Sequence, residues 1–248
     1  MNTIVEGLLL NYEQTGTGPD LVILHGWGRS VGEWRLTAER YAGRYRVTLL
    51  DLPGFGASEV PHRELTIHDY AEITATFLGK VGITKCIFLG HSLGGRIGTI
   101  LAATKPEIIE KLLLVDSAGV ERKSPSVRIK RAIVTMAKML GLHHVLPRGL
   151  RDFFSSSDYR SALPAMKKTF ANIVHEDLTR FFPQVICPTL VVWGSHDRVL
   201  PVSYTKVYAR LVPDCTVRIV YEAGHDPYID DPAQFFAIAD EFLLSSYS

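Results

Sequence analysis

The sequence predicts an α/β fold, with a mostly parallel eight-stranded sheet, helices on both faces and a helical lid inserted after the sixth strand. Three observations predict it. Short apolar runs such as LVIL (21–24) and TLVVWG (189–194) are typical of strands buried on both faces of a parallel sheet. Segments with helical spacing alternate with these runs. Residues 120–183 interrupt this alternation with a segment that has helical spacing and lacks any buried-strand run.

The first half of the chain supplies six of the eight predicted strands. Two short strands flank Gly7 within residues 2–15, and four more are expected at 21–24, 45–56, 85–90 and 111–118. Helices are predicted at 31–42, 65–81 and 93–104. The second of these helices begins with Thr66 and Asp69, a spacing typical of a capping box.

The alternation resumes after residue 183. Strands are predicted at 189–194 and 215–220, with a helix near 202–211 and a last helix from about Pro232 to Leu244. The domain organisation follows from this order of elements. Residues 1–119 and 184–248 form the core of the fold, and residues 120–183 form a helical lid.

Composition excludes several classes of protein. The 248 residues carry a net charge of +1, which gives no reason to expect a nucleic-acid partner. Three dispersed cysteines form neither a disulfide framework nor a zinc-binding pattern. The N-terminal stretch lacks the pattern of a signal peptide, and no apolar run is long enough for a membrane span. We therefore expect a cytoplasmic protein with no membrane-spanning segment.

The charge is distributed unevenly along the chain. Residues 120–183 contain 12 basic and 5 acidic residues, a net charge of +7, whereas the rest of the chain has a net charge of −6. A basic lid is suited to an acidic partner such as an acyl carrier protein. A solvated amphipathic face is the other interpretation of the same pattern.

The stretch GHSLG (90–94) indicates a nucleophilic serine. It fits the pattern G-x-S-x-G and lies between a predicted strand and a predicted helix, the context in which this pattern forms a sharp turn. The glycines leave room for the turn, and the turn exposes the hydroxyl of Ser92. The helix that begins at Leu93 directs its free N–H groups at the same place.

A base and an acid follow in the order that this arrangement requires. A serine hydroxyl needs a base to remove its proton, and His225 lies just after the strand at 215–220. Asp197 lies just after the strand at 189–194 and is the first candidate for the acid. Asp116 and Asp51 also follow strands, and Asp116 is the second candidate for the same role.

Two backbone N–H groups are expected to form an oxyanion hole. One belongs to Leu93, the residue after the nucleophile. The other is assigned to Trp27 in the stretch HGWG (25–28), because its glycines let the backbone approach a substrate. We expect four side chains to contact the substrate: Trp27, His91, Phe153 and Phe154.

Five stretches, LHGWG, DLPGFGAS, GHSLGG, WGSHDRVLP and AGHDPYIDDP, resemble in order and spacing the α/β-hydrolase superfamily. The resemblance covers the chain outside 120–183 and implies the α/β-hydrolase fold with a Ser-Asp-His triad. Serine at position 92 differs from the aspartate that haloalkane dehalogenases and epoxide hydrolases use there.

Three branches of the superfamily are similar to this chain. The stretches HGWG, DLPGFGAS and AGHDPYIDDPAQF are similar to pimeloyl-ACP methyl ester esterase, although position 91 is His where that family has Trp. The stretch GGR with Arg96 resembles a synthase branch of menaquinone biosynthesis. The carbon–carbon-bond hydrolases share DLPGFG and a lid of similar size.

The sequence therefore predicts a carboxylesterase that cleaves small-molecule esters of small to medium acyl chain through an acyl-enzyme, without a cofactor or metal. Three alternatives stay open at this point. They are a C–C bond hydrolase or synthase on the same triad, a carrier-protein methyl ester esterase, and a ligand receptor that retains the fold without catalysis.

Overall fold

The computed structural model describes residues 1–120 and 164–244, and the elements are numbered in chain order within those ranges. Eight strands form one sheet. The strands are β1 (Asn2–Val5), β2 (Leu8–Thr15), β3 (Asp20–Leu24), β4 (Arg46–Leu50), β5 (Cys86–His91), β6 (Ile109–Val115), β7 (Thr189–Gly194) and β8 (Cys215–Val220).

The strand order in the sheet is β1-β2-β4-β3-β5-β6-β7-β8. The first two strands form a hairpin, and β2 pairs antiparallel with β4. All pairs from β4 to β8 are parallel. Parallel strands place their carboxyl ends at one edge of the sheet, and the connecting helices cover both faces. The predicted mostly parallel eight-stranded sheet is confirmed.

The helices lie on both faces of the sheet. They are α1 (Arg35–Tyr41), α2 (Ile67–Lys80), α3 (Leu93–Thr104), α4 (Pro164–His175), α5 (Thr205–Leu211), α6 (Pro227–Asp230) and α7 (Pro232–Leu243). Apolar side chains of α2, α3 and α5 pack into one buried cluster, whereas those of α1 and α7 pack into a second. The continuous apolar strands are buried because each face of the sheet is covered by one of these clusters.

Local sequence signals explain where the longest helix begins. The side chain of Thr66 accepts a hydrogen bond from the Asp69 backbone N–H, and the Asp69 carboxylate accepts one from the Thr66 backbone. This reciprocal pair is the predicted capping box. The helix predicted at 31–42 differs slightly, because residues Val31–Trp34 form a 3₁₀ turn before α1.

Only the end of the predicted lid lies within the described residues. It contains α4 and a 3₁₀ turn at Phe182–Gln184, and the ring of Phe182 stacks on Tyr208 of α5. The buried guanidinium of Arg96 in α3 donates hydrogen bonds to the carbonyls of Ile173 and Glu176. The positive charge of Arg96 at these carbonyls stabilises the C-terminal end of α4. The same hydrogen bonds join α4 to α3. None of the helices within 1–120 or 164–244 is long and apolar enough to cross a membrane.

Candidate active site

Five residues predicted to carry the chemistry follow five strands at one edge of the sheet. Trp27 lies after β3, Ser92 after β5, Asp116 after β6, Asp197 after β7 and His225 after β8. The carboxyl ends of parallel strands are the usual place for a site in open α/β sheets. The topology therefore gathers residues that are up to two hundred positions apart in the sequence.

Ser92 occupies a strained turn between β5 and α3. Its backbone has a φ of 50°, in the left-handed region that side-chain-bearing residues rarely adopt. A Cβ added at Gly90 would lie 2.4 Å from the Gly94 carbonyl oxygen, and one added at Gly94 would lie 2.3 Å from the Leu24 carbonyl oxygen. Only glycine fits at either position. Ser92 itself is half-buried, so its side chain keeps access to a ligand.

Asp197 and His225 form a hydrogen-bonded pair beside this turn. The His225 Nδ1 lies 2.8 Å from Asp197 Oδ2. The other oxygen of Asp197 accepts the backbone N–H groups of Val199 and Leu200 at 2.7 and 2.8 Å. The Asp197 side chain has no exposed surface, whereas the His225 side chain is 17 % exposed. The carboxylate is therefore fixed in the protein, and the imidazole reaches the surface of the site.

The electrostatics of the pair define the tautomer of His225. Burial alone would raise the pKa of Asp197, but the hydrogen bond and charge of His225 lower that pKa below its usual range. Asp197 is thus an ionised acceptor, and His225 Nδ1 donates to it. In the neutral imidazole, Nε2 then carries the free lone pair. This nitrogen is the one that can accept a proton from a serine hydroxyl.

The N–H groups of Trp27 and Leu93 have no acceptor among the described residues. Leu93 is the first residue of α3, where backbone N–H groups lack a partner within the helix. Both N–H groups are predicted to stabilise an oxyanion, and an N–H group without an acceptor can donate a hydrogen bond to it.

His25 fixes the loop that carries Trp27. Its Nε2 lies 3.0 Å from the Leu52 backbone N–H and accepts from it, so Nδ1 carries the proton and donates to the Gly26 carbonyl at 2.7 Å. The peptide between Gly26 and Trp27 is thereby held in one orientation. The carbonyl of His25 also accepts the Gly94 N–H at 3.2 Å, which joins this loop to α3.

Asp51 has a structural role in the same region. Its carboxylate is 1 % exposed and accepts hydrogen bonds from the Val31 and Ala57 N–H groups and from the Asn11 side chain, all at 2.8–2.9 Å. These bonds join β2 to the loops after β3 and β4. Asp51 has no contact with His225 among the interactions within 1–120 and 164–244.

The aromatic rings of Trp27, Phe55 and Phe170 form an apolar wall. The rings of Phe55 and Phe170 lie 4.8 and 4.9 Å from the Trp27 ring, and all three are half-buried. Phe170 belongs to α4, so the end of the predicted lid contributes to the wall. The predicted substrate contacts Phe153 and Phe154 lie outside the described residues.

His91 occupies a different position from the one expected. Its ring is 1 % exposed and lies between Trp34, Tyr228 and the ring of His225. Its Nε2 lies 2.9 Å from the His225 backbone carbonyl and donates to it. So enclosed a ring has no surface for a substrate, and the expected substrate contact is not supported. Ser92 faces the site, whereas the side chain of His91 is buried, and its hydrogen bond holds the loop that carries His225.

Burial of His91 makes folding sensitive to acid. Burial lowers the pKa of its imidazole from 6.5 to about 3, and the positive charge of His225 acts in the same direction. The unfolded chain takes up a proton near pH 6.5, whereas the folded chain does so only near pH 3. Stability is therefore lost as the pH falls from 6.5 toward 3, by on the order of 2 kcal/mol at pH 5 for this one group.

We expect this loss to be smaller in His91→Gln than in the wild type, as measured by urea unfolding at pH 7.5 and pH 5. The control is His62→Gln, because that side chain is 91 % exposed. The control variant should keep the full loss. An equal loss in His91→Gln and the wild type would contradict the assignment.

A cluster of charged residues joins the His225 loop to the loop that carries Trp27. The two Nη atoms of Arg29 lie 2.7 Å from carboxylate oxygens of Glu33 and Asp226. The Tyr228 hydroxyl donates to Glu33 at 3.0 Å. Sequence reasoning missed this cluster. Its signal was the Arg that directly follows HGWG and the Asp that directly follows His225.

We expect Arg29→Gln to lower kcat for ester hydrolysis by roughly 10-fold, because it frees His225 and Trp27 to move relative to each other. The matched control is Arg35→Gln, which breaks the solvent-exposed ion pair of Arg35 with Glu13. Asp226→Asn should add little to Arg29→Gln, since the two changes break the same contact. Full additivity in this double-mutant cycle would count against the link.

One group of side chains within the described ranges is close enough to share a metal ion. It consists of Asp116, Asp197 and His225, whose ligand atoms lie within 4.8 Å of one another. The 2.8 Å hydrogen bond already occupies the facing atoms of Asp197 and His225. A proton between these two atoms therefore satisfies both of them.

Comparison with known proteins agrees with the fold described above. An uncharacterised protein of Mycobacterium tuberculosis is 27% identical, over 96% of this chain and 79% of its own length. The pimeloyl-[acyl-carrier protein] methyl ester esterase of Aeromonas salmonicida is 30% identical, over 94% of this chain and 99% of its own. A membrane phospholipase A described as a bacterial virulence factor has a crystal structure that matches this one with a TM-score of 0.81. The two sequences are 28% identical, and the match covers 98% of this chain and 84% of that chain.

The profile of the alpha/beta hydrolase family matches residues 21–238. The match includes all the strands from β5 to β8 and the residues that follow them. It covers well over half of the sequence, and the chain therefore belongs to the alpha/beta hydrolase family.

Proposed function

We propose that the protein is a carboxylesterase-type serine hydrolase, which cleaves small-molecule esters of small to medium acyl chain through an acyl-enzyme. The observation that carries this proposal is the 2.8 Å pair of His225 and Asp197 at the sheet edge where Ser92 occupies its strained turn. A nucleophile, a base and an oriented acid in chain order Ser, Asp, His are the parts that ester hydrolysis needs.

Acylation begins when Ser92 Oγ attacks the ester carbonyl. His225 Nε2 takes the serine proton, and Asp197 stabilises the imidazolium and holds its tautomer. The negative charge on the carbonyl oxygen is stabilised by the N–H groups of Trp27 and Leu93. His225 then donates its proton to the leaving alkoxide, and the alcohol departs.

Deacylation uses the same groups with water as the nucleophile. His225 Nε2 removes a proton from water, which attacks the acyl-serine carbonyl, and the oxyanion again forms at the N–H groups of Trp27 and Leu93. When the tetrahedral intermediate collapses, the proton returns to Ser92 Oγ and the carboxylic acid is released. No step requires a cofactor or metal, since every proton moves between named groups.

The apolar wall supports an ester whose acyl or alkyl group is uncharged. Trp27, Phe55 and Phe170 are half-buried, so each ring leaves surface for an apolar chain. Burial of a methylene against such a wall contributes about 0.8 kcal/mol. This gain favours chains longer than acetate until the wall is filled.

The test is hydrolysis of p-nitrophenyl esters from acetate to palmitate by the wild-type protein. We expect kcat/KM to rise from acetate, peak at a short or medium chain and fall for palmitate. Absence of hydrolysis at every length would overturn the proposal, as would faster cleavage of a ring-fission dione, the substrate type of C–C hydrolases. Saturable ester binding without turnover would point to a receptor.

A carrier-protein methyl ester is the second candidate substrate, and two observations favour it. The Aeromonas salmonicida relative named for that activity is 30% identical along almost its whole length. The segment 120–183 also carries a net charge of +7, which suits an acidic carrier protein. Its basic residues Arg128, Lys130 and Arg131 lie outside the described residues.

Charge reversal tests this second candidate. The variant Arg128→Glu, Lys130→Glu, Arg131→Glu should lower kcat/KM for an acyl-carrier-protein methyl ester by roughly 10-fold or more and leave p-nitrophenyl butyrate hydrolysis unchanged. The control Lys206→Glu, Arg210→Glu reverses charge on α5 and should alter neither rate. Equal losses with both substrates would contradict docking at the basic segment.

A further inference from the structure

A second carboxyl group, that of Asp116, lies beside the His225–Asp197 pair, and ligand atoms of the three side chains lie within 4.8 Å of one another. Asp116 follows β6 and has no exposed surface. Its Oδ1 accepts the Gly194 backbone N–H at 3.1 Å. Its Oδ2 is buried and has no donor among the described residues. The mechanism above does not use this carboxyl group.

Two buried carboxylates this close together are not both ionised, because each charge opposes the other and water does not screen them. The donors around the pair decide which one keeps the proton. Asp197 accepts from His225 and from the N–H groups of Val199 and Leu200. Asp116 accepts only the Gly194 N–H among the described donors. The three donors stabilise charge on Asp197, so the proton stays on Asp116.

The surrounding charges agree with this distribution. Burial raises the pKa of Asp116 far above its usual range, and the neighbouring carboxylate of Asp197 adds to the effect. Two other titratable groups face the pair of carboxyl groups. The charge of His225 favours the ionised form of Asp197, and the charge of Asp226 disfavours the ionised form of Asp116. Arg29 neutralises Asp226 through its ion pair.

The backbone holds Asp116 in the orientation that this contact needs. Its φ is 41°, in the left-handed region, and its N–H donates to the Val192 carbonyl at 3.0 Å. Such strain persists only where the surrounding structure fixes it, and it is concentrated at functional sites. Asparagine and aspartate tolerate this conformation better than other side chains.

We propose that Asp116 is a protonated positioning residue that donates a hydrogen bond to Asp197, so that the acid beside His225 is a carboxyl pair with one proton and one negative charge. The role given to this pair in catalysis rests on the proposed function, whereas the protonation state does not. When Ser92 transfers its proton to His225 Nε2, Asp116 keeps its own proton. Its hydrogen bond makes Asp197 a weaker base and a weaker acceptor for His225.

The first test is infrared spectroscopy of the wild-type protein and of Asp116→Asn at pH 7. The wild type should show the carbonyl band of a protonated carboxylic acid, and this band should disappear in Asp116→Asn. The amide oxygen of asparagine can accept the Gly194 N–H, and the amide NH₂ can donate to Asp197. We therefore expect this variant to keep the fold. Absence of such a difference band would overturn the proposal, with or without esterase activity.

The second test is the pKa of His225, measured by NMR titration of its ring in the wild type, Asp116→Asn and Asp116→Ala. The proposal predicts little change in Asp116→Asn, where a neutral donor replaces a neutral donor. It predicts a rise of about one unit in Asp116→Ala, where Asp197 loses that donor. If Asp116 were ionised, both variants would lower the pKa, and this result would overturn the proposal. Equal values in all three proteins would also overturn it.

Two controls separate protonation from structural damage and from the proposed function. Asp214→Asn changes an exposed carboxyl group before β8 and should alter neither the infrared band nor the His225 titration. If Asp116→Ala does not fold, the infrared result with Asp116→Asn decides the question. Because neither readout requires turnover, a failure of the ester assay leaves this test intact.

Discussion

Ser92→Ala is expected to lower kcat for ester hydrolysis by roughly 10⁴-fold or more. The hydroxyl is the only group in the proposed mechanism that forms a covalent bond with the substrate. The strained turn remains, since Gly90 and Gly94 still provide the space that it requires. Substrate binding should therefore survive while turnover is lost. Initial rates with p-nitrophenyl butyrate and a thermal unfolding scan check both parts.

The control for this prediction is Ser203→Ala, which removes an exposed hydroxyl in the 3₁₀ turn before α5. We expect full activity in that variant. If Ser92→Ala retained a rate within 10-fold of the wild type at unchanged stability, another group would be the nucleophile. The proposed acyl-enzyme at position 92 would then be wrong.

Asp197→Asn is expected to lower kcat on the order of 10³-fold to 10⁴-fold with little change in stability. The N–H groups of Val199 and Leu200 both donate to Asp197 Oδ1, so they will hold the amide oxygen of Asn in that place. The amide NH₂ then faces His225 Nδ1, which must act as an acceptor. The proton moves to Nε2, where it blocks removal of the serine proton.

The pH profile separates this effect from a structural one. Loss of the carboxylate beside His225 removes a negative charge that stabilises the imidazolium, so the acid limb of kcat/KM should move to lower pH. The control Asp214→Asn should leave both the rate and the profile unchanged. A mere loss of stability, without a change in the acid limb, would contradict the role of Asp197.

The sequence predicted the fold because its strands carry strong, local signals. LVIL, CIFL and TLVVWG are continuous apolar runs, and each lies in a strand covered on both faces. The turn at Ser92 was predictable for a similar reason, since GHSLG is a local pattern and a Cβ at Gly90 would meet the Gly94 carbonyl within the same five residues. Because these effects act between residues that are close in the sequence, they can be predicted from the sequence alone.

Roles that depend on distant neighbours were not predictable. His91 is adjacent to Ser92 in the sequence, yet alternation along β5 directs it into the core, where it supports the loop of His225. The sequence indicates Asp116 only as a second candidate for the role of Asp197, because spacing does not show that the ends of β6 and β7 bring the two carboxyl groups close together. Arg29 contacts Asp226 across 197 positions of sequence. Such contacts follow from the topology of the sheet.

The chemistry of Ser92 is the central claim, and covalent labelling tests it most directly. The wild-type protein is incubated with a fluorophosphonate, an electrophile that traps activated serines, and its mass is measured before and after digestion. We expect one adduct per chain, on the peptide that contains Ser92, and none in Ser92→Ala or in His225→Ala at short times. An unlabelled wild-type protein, or an adduct on any other residue, would contradict the account.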